Sequence, residues 1–119
     1  MDLELYYREL SKLFPDGVDI IPEDFKFESG AIAKEFKIGE STLELKNTHL
    51  EHISLQIRLV GLNENKFEII KEANKMDKKI NDTRFSNGDW ITREDVWNTN
   101  YIDEDKFNFI LMYNIKKYK

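Results

Sequence analysis

Apolar positions along this chain recur with two different periods, which divide it into helices and strands. Leu3, Tyr6, Tyr7, Leu10, Leu13 and Phe14 follow the i, i+3, i+4, i+7 spacing of one helix face, with Asp2 placed to cap it. Phe14-Pro15-Asp16-Gly17 predicts the end of that helix, since proline cannot continue it and Asp-Gly favours a turn. Val18 to Pro22 reads as an irregular link, and Asp24 to Glu28 as a weak extended piece before Ser29-Gly30. Ala31 to Ile38 reads as a strand, Gly39-Glu40 as a turn, Thr42 to Lys46 as a second strand and Asn47-Thr48 as a further turn. Leu50 to Val60 carries the clearest alternation. Ile53, Leu55, Ile57 and Leu59 share one side, and His52, Ser54, Gln56 and Arg58 share the other, so one face is buried and one is wet or faces a partner.

A helical period returns near Asn65. Asn65 and Glu68 have the spacing of a capping box, and Phe67, Ile70, Ala73, Met76 and Ile80 form the apolar stripe, which ends at Asp82. Thr83 to Ser86 and Asp89 to Val96 predict a hairpin around Asn87-Gly88. The last segment fits both periods. Phe107, Phe109, Leu111, Tyr113 and Ile115 alternate, whereas Phe107, Ile110, Leu111 and Tyr118 fit a helix. Acid at Asp103-Glu104-Asp105 and base at Lys116-Lys117-Lys119 match the helix dipole and favour a helix here. The expected fold is one α+β domain over residues 1–119: helix, three antiparallel strands, helix, two-strand hairpin and C-terminal helix. A single sheet carries the helices on one face, with Leu50 to Val60 near its centre.

Composition narrows the function. Eight Phe, five Tyr, two Trp and thirteen Ile in 119 residues can bury a real core, which argues against disorder. The formal net charge of -5 makes nucleic acid a poor partner and a basic protein a better one. Absence of cysteine removes disulfides, thiolate nucleophiles and cysteine-based metal sites. No apolar run reaches the ~20 residues of a membrane span. The start, Met1-Asp2-Leu3-Glu4, has acid where a secretory signal has lysine, so a soluble cytoplasmic protein is expected.

Catalytic patterns are weak. Asp24 with Glu44-Leu45-Lys46 has the acid and acid-x-lysine form of Mg²⁺-dependent nucleases. Chance gives roughly three acid-x-lysine matches in so acidic and lysine-rich a chain, and six occur, so solvated strand charges explain them. His49 and His52 are three apart and would point to opposite faces of a strand, so no metal site follows from them. The serines lack a Gly-x-Ser-x-Gly elbow, and the glycines form no phosphate loop. Lys71, Lys75, Lys78 and Lys79 alternate with acids along the second helix and read as a solvated face. No catalytic residue, metal or cofactor is expected.

Residues suited to a partner remain. Trp90 and Trp97 lie seven apart, on opposite sides of a regular strand, and an exposed Trp beside Arg93 would make an interface anchor. His52, Gln56 and Arg58 on the polar side of the long strand are the alternative contacts. Ile53, Leu55, Ile57, Leu59, Phe67, Ile70, Ile80 and Phe107 are expected in the core, and Arg93→Ala is expected to leave stability nearly unchanged.

The segments Ile69-Ile70-Lys71-Glu72-Ala73-Asn74-Lys75-Met76, Phe85-Ser86-Asn87-Gly88-Asp89-Trp90-Ile91-Thr92-Arg93, and Ile102 with Phe107 to Tyr118, resemble three parts of one fold. They are similar to the apolar-striped helix, glycine-turn hairpin and closing helix of the type III secretion chaperone-like fold shared by YbjN-like proteins. Over the N-terminal half the match lies in element order alone. The resemblance implies a non-enzymatic protein-binding module, often a homodimer, with no catalytic residues to carry over. The leading expectation is therefore a chaperone-like module that captures a protein or peptide. The alternative is an immunity or phage-encoded inhibitor that masks a basic toxin or nuclease, and the Mg²⁺ nuclease stands third.

Overall fold

The computed structural model describes residues 2–44 and 47–118, without the side chains of residues 40–44 and 47–49. Its elements are α1 (Leu3–Leu13), β1 (Gly17–Val18), β2 (Ala33–Glu44), β3 (Asn47–Leu62), a short 3-10 turn (Asn63–Asn65), α2 (Lys66–Ile80), β4 (Trp90–Asp103) and β5 (Lys106–Tyr118). The strands form one mixed sheet in the order β1-β2-β3-β5-β4. The short β1 runs parallel to β2, and every other pairing is antiparallel. The class is α+β, but the expected layout with a C-terminal helix is wrong.

The closing segment is strand β5. It pairs with β3 without a break, from Leu50 opposite Tyr118 to Leu62 opposite Lys106. That register sets Phe109, Leu111, Tyr113 and Ile115 opposite Leu59, Ile57, Leu55 and Ile53. A helix would have turned several of these side chains to water, whereas a strand buries them all on one face. Of the acids that suggested a helix start, Asp103 ends β4 and the other two are turn residues. Glu104 has φ 56, in the left-handed region, and Glu104-Asp105 join β4 to β5.

Two other turns shift. Gly39-Glu40 does not reverse the chain. It lies inside β2, where the register slips between Ile38 opposite Leu55 and Ser41 opposite Ile53, as in a β-bulge. Asn47-Thr48 belong to β3. Leu45 and Lys46, the end of the expected Thr42 to Lys46 strand, lie outside the described residues. Asn87-Gly88 does turn the chain, with Gly88 at φ 92, but Thr83 to Ser86 contributes only a bridge from Arg84 to Trp90. The long hairpin is β4–β5.

Both helices cover the face that carries Ile53, Leu55, Ile57 and Leu59. Tyr6 and Leu10 of α1 and Ile69, Ala73, Met76 and Ile80 of α2 join these residues in one core. The α2 stripe is set by Ile69 rather than Phe67, which lies about 200° around the helix from it and is 79% exposed. Asn65 does not cap α2 with its side chain. Its Oδ1 accepts the Gly30 N–H at 2.9 Å and so ties down the segment before β2. Gly61 in β3 lets α2 approach, because a Cβ there would lie 2.8 Å from Ile69 Cδ1 and 2.9 Å from the Ala31 carbonyl.

Two buried carboxylates join the helices to the sheet. Asp77 of α2 accepts the Tyr113 hydroxyl at 2.6 Å. Asp89, just before β4, accepts the Tyr6 hydroxyl of α1 at 2.5 Å and the Asn87 side-chain amide at 2.9 Å, with the Lys117 ammonium 3.3 Å away. Burial first, then the hydrogen bond to the aspartate, pushes both tyrosine hydroxyls far above their ordinary range. No helix among the described residues is long and apolar enough to cross a membrane.

Candidate functional site

The three hairpin residues singled out from sequence do not share a surface. Trp90 sits opposite Lys116 on the uncovered face of the sheet. Its indole N–H donates to Asp82 Oδ1 at 2.9 Å, and the Arg84 and Lys116 cations lie 5.2 and 5.3 Å from its ring. Trp97 packs against the core, with the Arg93 guanidinium 4.0 Å from its ring centroid.

Arg93 lies opposite Tyr113 on the helix-covered face. It grips Asp77 with two nitrogens: Nε donates to Oδ1 at 3.1 Å, and NH2 donates to Oδ2. That hydrogen bond, outweighing desolvation, raises the already high pKa of Arg93. Arg93 therefore holds β4 to α2, and the expectation that its removal leaves stability unchanged does not fit this geometry. A buried carboxylate that loses its cation is costly.

The alternative residues lie on the sheet face away from the helices, where the segment between β1 and β2 reaches Glu35 through the Ile21 N–H. Arg58 pairs with Glu35 at 3.3 Å and donates to Asn108 Oδ1 at 3.3 Å, and Tyr101 is a further hydrogen-bond partner. It thus braces β3 to β2, β5 and β4. His52 is half-buried opposite Thr42 and Lys116. Gln56 is exposed between Lys37 and Met112.

Gln56 leads to a feature that sequence reasoning missed. Arg93 pairs with Tyr113 but Asn98 pairs with Leu111, so five steps along β4 match two along β5. The excess forms a bulge at Glu94–Trp97. Val96 is pushed into solvent, 69% exposed. Beside the bulge, on the uncovered face, lies an open groove of about 480 Å³ lined by Ser54, Gln56, Glu94, Asp95, Val96 and Met112. Glu94 and Asp95 form no ion pair among the described residues. Past the bulge, Asn98–Asp103 pairs regularly with β5. The other side of that stretch is the outer edge of the sheet, since β4 is the last strand. Tyr101 and Ile102 are exposed there. The missed signal was Arg93-Glu94-Asp95, three consecutive charges inside a strand-like run, which marks an edge and a bulge.

The nuclease trio is not assembled by anything described. Asp24 is exposed in the segment between β1 and β2. Glu44 ends β2, with its side chain outside the description, and Lys46 lies outside the described residues. The side chain of His49 is likewise outside the description. Among the described residues no three His, Asp or Glu side chains are placed to hold a metal ion. No protein-family model matches this chain, and no curated protein matches it.

Proposed function

We propose that this chain is a non-enzymatic, chaperone-like protein-binding module that captures a basic, extended segment of a partner protein along β4. The observation that carries the reading is an edge strand of 14 residues interrupted by an acid-bearing bulge. An added strand pairs with the free backbone groups of Asn98–Asp103, as in strand addition generally. Glu94 and Asp95 attract its lysines or arginines, and Val96 and Met112 give its apolar side chains a contact. Acid at the rim speeds encounter with a basic partner and selects against acidic ones. Support comes also from the net acidity of the chain. The proposal sets the protein in the cytoplasm, where a cysteine-free chain forgoes nothing.

The test compares the wild-type chain with a Glu94→Lys, Asp95→Lys variant in capturing partners from lysate, followed by hydrogen exchange on the captured complex. The expected result is a stoichiometric basic protein that the variant loses and that slows exchange at residues 98–103. Equal capture by the variant, or slowed exchange elsewhere only, overturns the proposal. A captured toxin or nuclease would place the same surface in an antagonist.

A further inference from the structure

The helical side of the molecule holds a second groove, of about 500 Å³, between α1, the end of α2 and the chain from Thr83 to Ile91. Its floor is made of Leu10, Leu13, Phe85 and Ile91, and of these Leu10, Phe85 and Ile91 are buried core residues. Its rim carries Arg8, Lys12, Lys79 and Arg84. That is four cations in a chain whose net charge is -5. Lys12 and Lys79 form no ion pair among the described residues. Arg8 has only a loose, exposed pairing with Glu4 at 3.8 Å, and Arg84 donates to the Gly88 carbonyl at 3.0 Å.

The one acid in the lining, Glu9, is already engaged. One carboxylate oxygen accepts the Ser86 N–H at 2.9 Å and the other accepts the Ser86 hydroxyl at 2.7 Å. These bonds hold its carboxyl below the ordinary range. Glu9 thus ties α1 to the loop, leaving a surplus of positive charge around an apolar floor.

We infer that this groove binds a small amphipathic anion, with a single anionic head among Lys12, Lys79 and the rim arginines and a short apolar tail over Leu10, Leu13, Phe85 and Ile91. The volume falls in the range of small-molecule sites. The floor is pre-formed, because the core contacts that shape it also hold the fold. An apolar tail releases water from the floor, and an anionic head meets unneutralised cations, so the two parts together bind where neither does alone.

The test uses decanoate as probe, followed by titration calorimetry and backbone NMR on the whole chain. Acetate and decanol serve as head-only and tail-only controls. The expected result is saturable decanoate binding with shifts centred on Leu10, Leu13, Phe85 and Ile91. Acetate and decanol should bind at least about tenfold more weakly, and Lys12→Gln with Lys79→Gln should weaken decanoate by about tenfold or more. Decyl phosphate in place of decanoate shows whether a carboxylate or a phosphate head is preferred. Absence of shifts at the floor residues, decanol binding as tightly as decanoate, or unchanged binding by the double variant overturns the inference. The Glu94→Lys, Asp95→Lys variant should bind decanoate normally, which separates this site from the β4 surface.

Discussion

The two grooves are nearly equal in volume, about 500 and about 480 Å³, yet they differ in charge and in foundation. The helical groove is cationic and rests on core residues. The groove at the β4 bulge is acidic, and its most prominent apolar side chain, Val96, stands in solvent. The contrast shows that a net charge describes neither surface. It also shows that shape arises in two ways here. One groove is a gap between packed elements, so its floor and the fold are the same contacts. The other is opened by surplus residues in an edge strand, where Asp95 and Val96 stand in solvent.

The largest effect that would break this comparison is on stability. Leu10→Ala in the helical floor should cost about 2–5 kcal/mol, the range for a buried leucine, while Val96→Ala should change stability by no more than about 0.5 kcal/mol. Denaturant unfolding measures both, and similar costs would mean that the bulge is packed after all.

Arg93→Ala tests the edge of that distinction, since Arg93 stands immediately before the bulge but grips Asp77. Its side chain is 41% exposed, so water can partly replace it, and a cost of about 1–3 kcal/mol is expected. A cost near zero would return Arg93 to the surface role read from sequence.

Alkaline pH acts on the structural side alone. The folded-state pKa values of Tyr6 and Tyr113 lie above the ordinary value of 10.0. Their contribution is therefore fully present below pH ~10 and is lost as pH rises above it, because the unfolded state then releases protons that the folded state keeps. Absorbance near 295 nm should show these two of the five tyrosines ionising only as the chain unfolds. Early ionisation of all five would contradict the buried Tyr–Asp pairs.

The smallest stability effect belongs to Glu94→Lys with Asp95→Lys, expected within about 0.5 kcal/mol. Capture of a basic partner by the wild type should weaken as salt rises, and capture that held equally at high salt would contradict attraction by Glu94 and Asp95.

Much of the frame was legible along the chain. Ile53, Leu55, Ile57 and Leu59 alternate over a face that is buried, and every one of them is in the core. The stretch Leu3 to Phe14 reads correctly as a helix followed by a turn. The candidate sites were less legible. Gln56 was placed on an open face and does line the acidic groove, but Glu94, Asp95 and Val96 could be found only once a register slip was known. The helical groove draws on α1, α2 and a loop about 80 residues from α1 in sequence, and no local pattern joins them.

By itself the sequence determined what short-range periodicity and composition can determine: two amphipathic helices, a long alternating strand, a sizeable core and an excess of acid. Tertiary structure decided the rest. Phe107 to Tyr118 satisfies both periods, and it became a strand because β3 offers a partner along its whole length, where backbone pairing and one-sided burial coincide. Phe67 was left in water because the sheet selected Ile69 as the contact. Arg93, though exposed, was drawn to the helix side because folding brought Asp77 beside it. Such choices depend on what lies across from a residue, and that neighbour is distant in the chain.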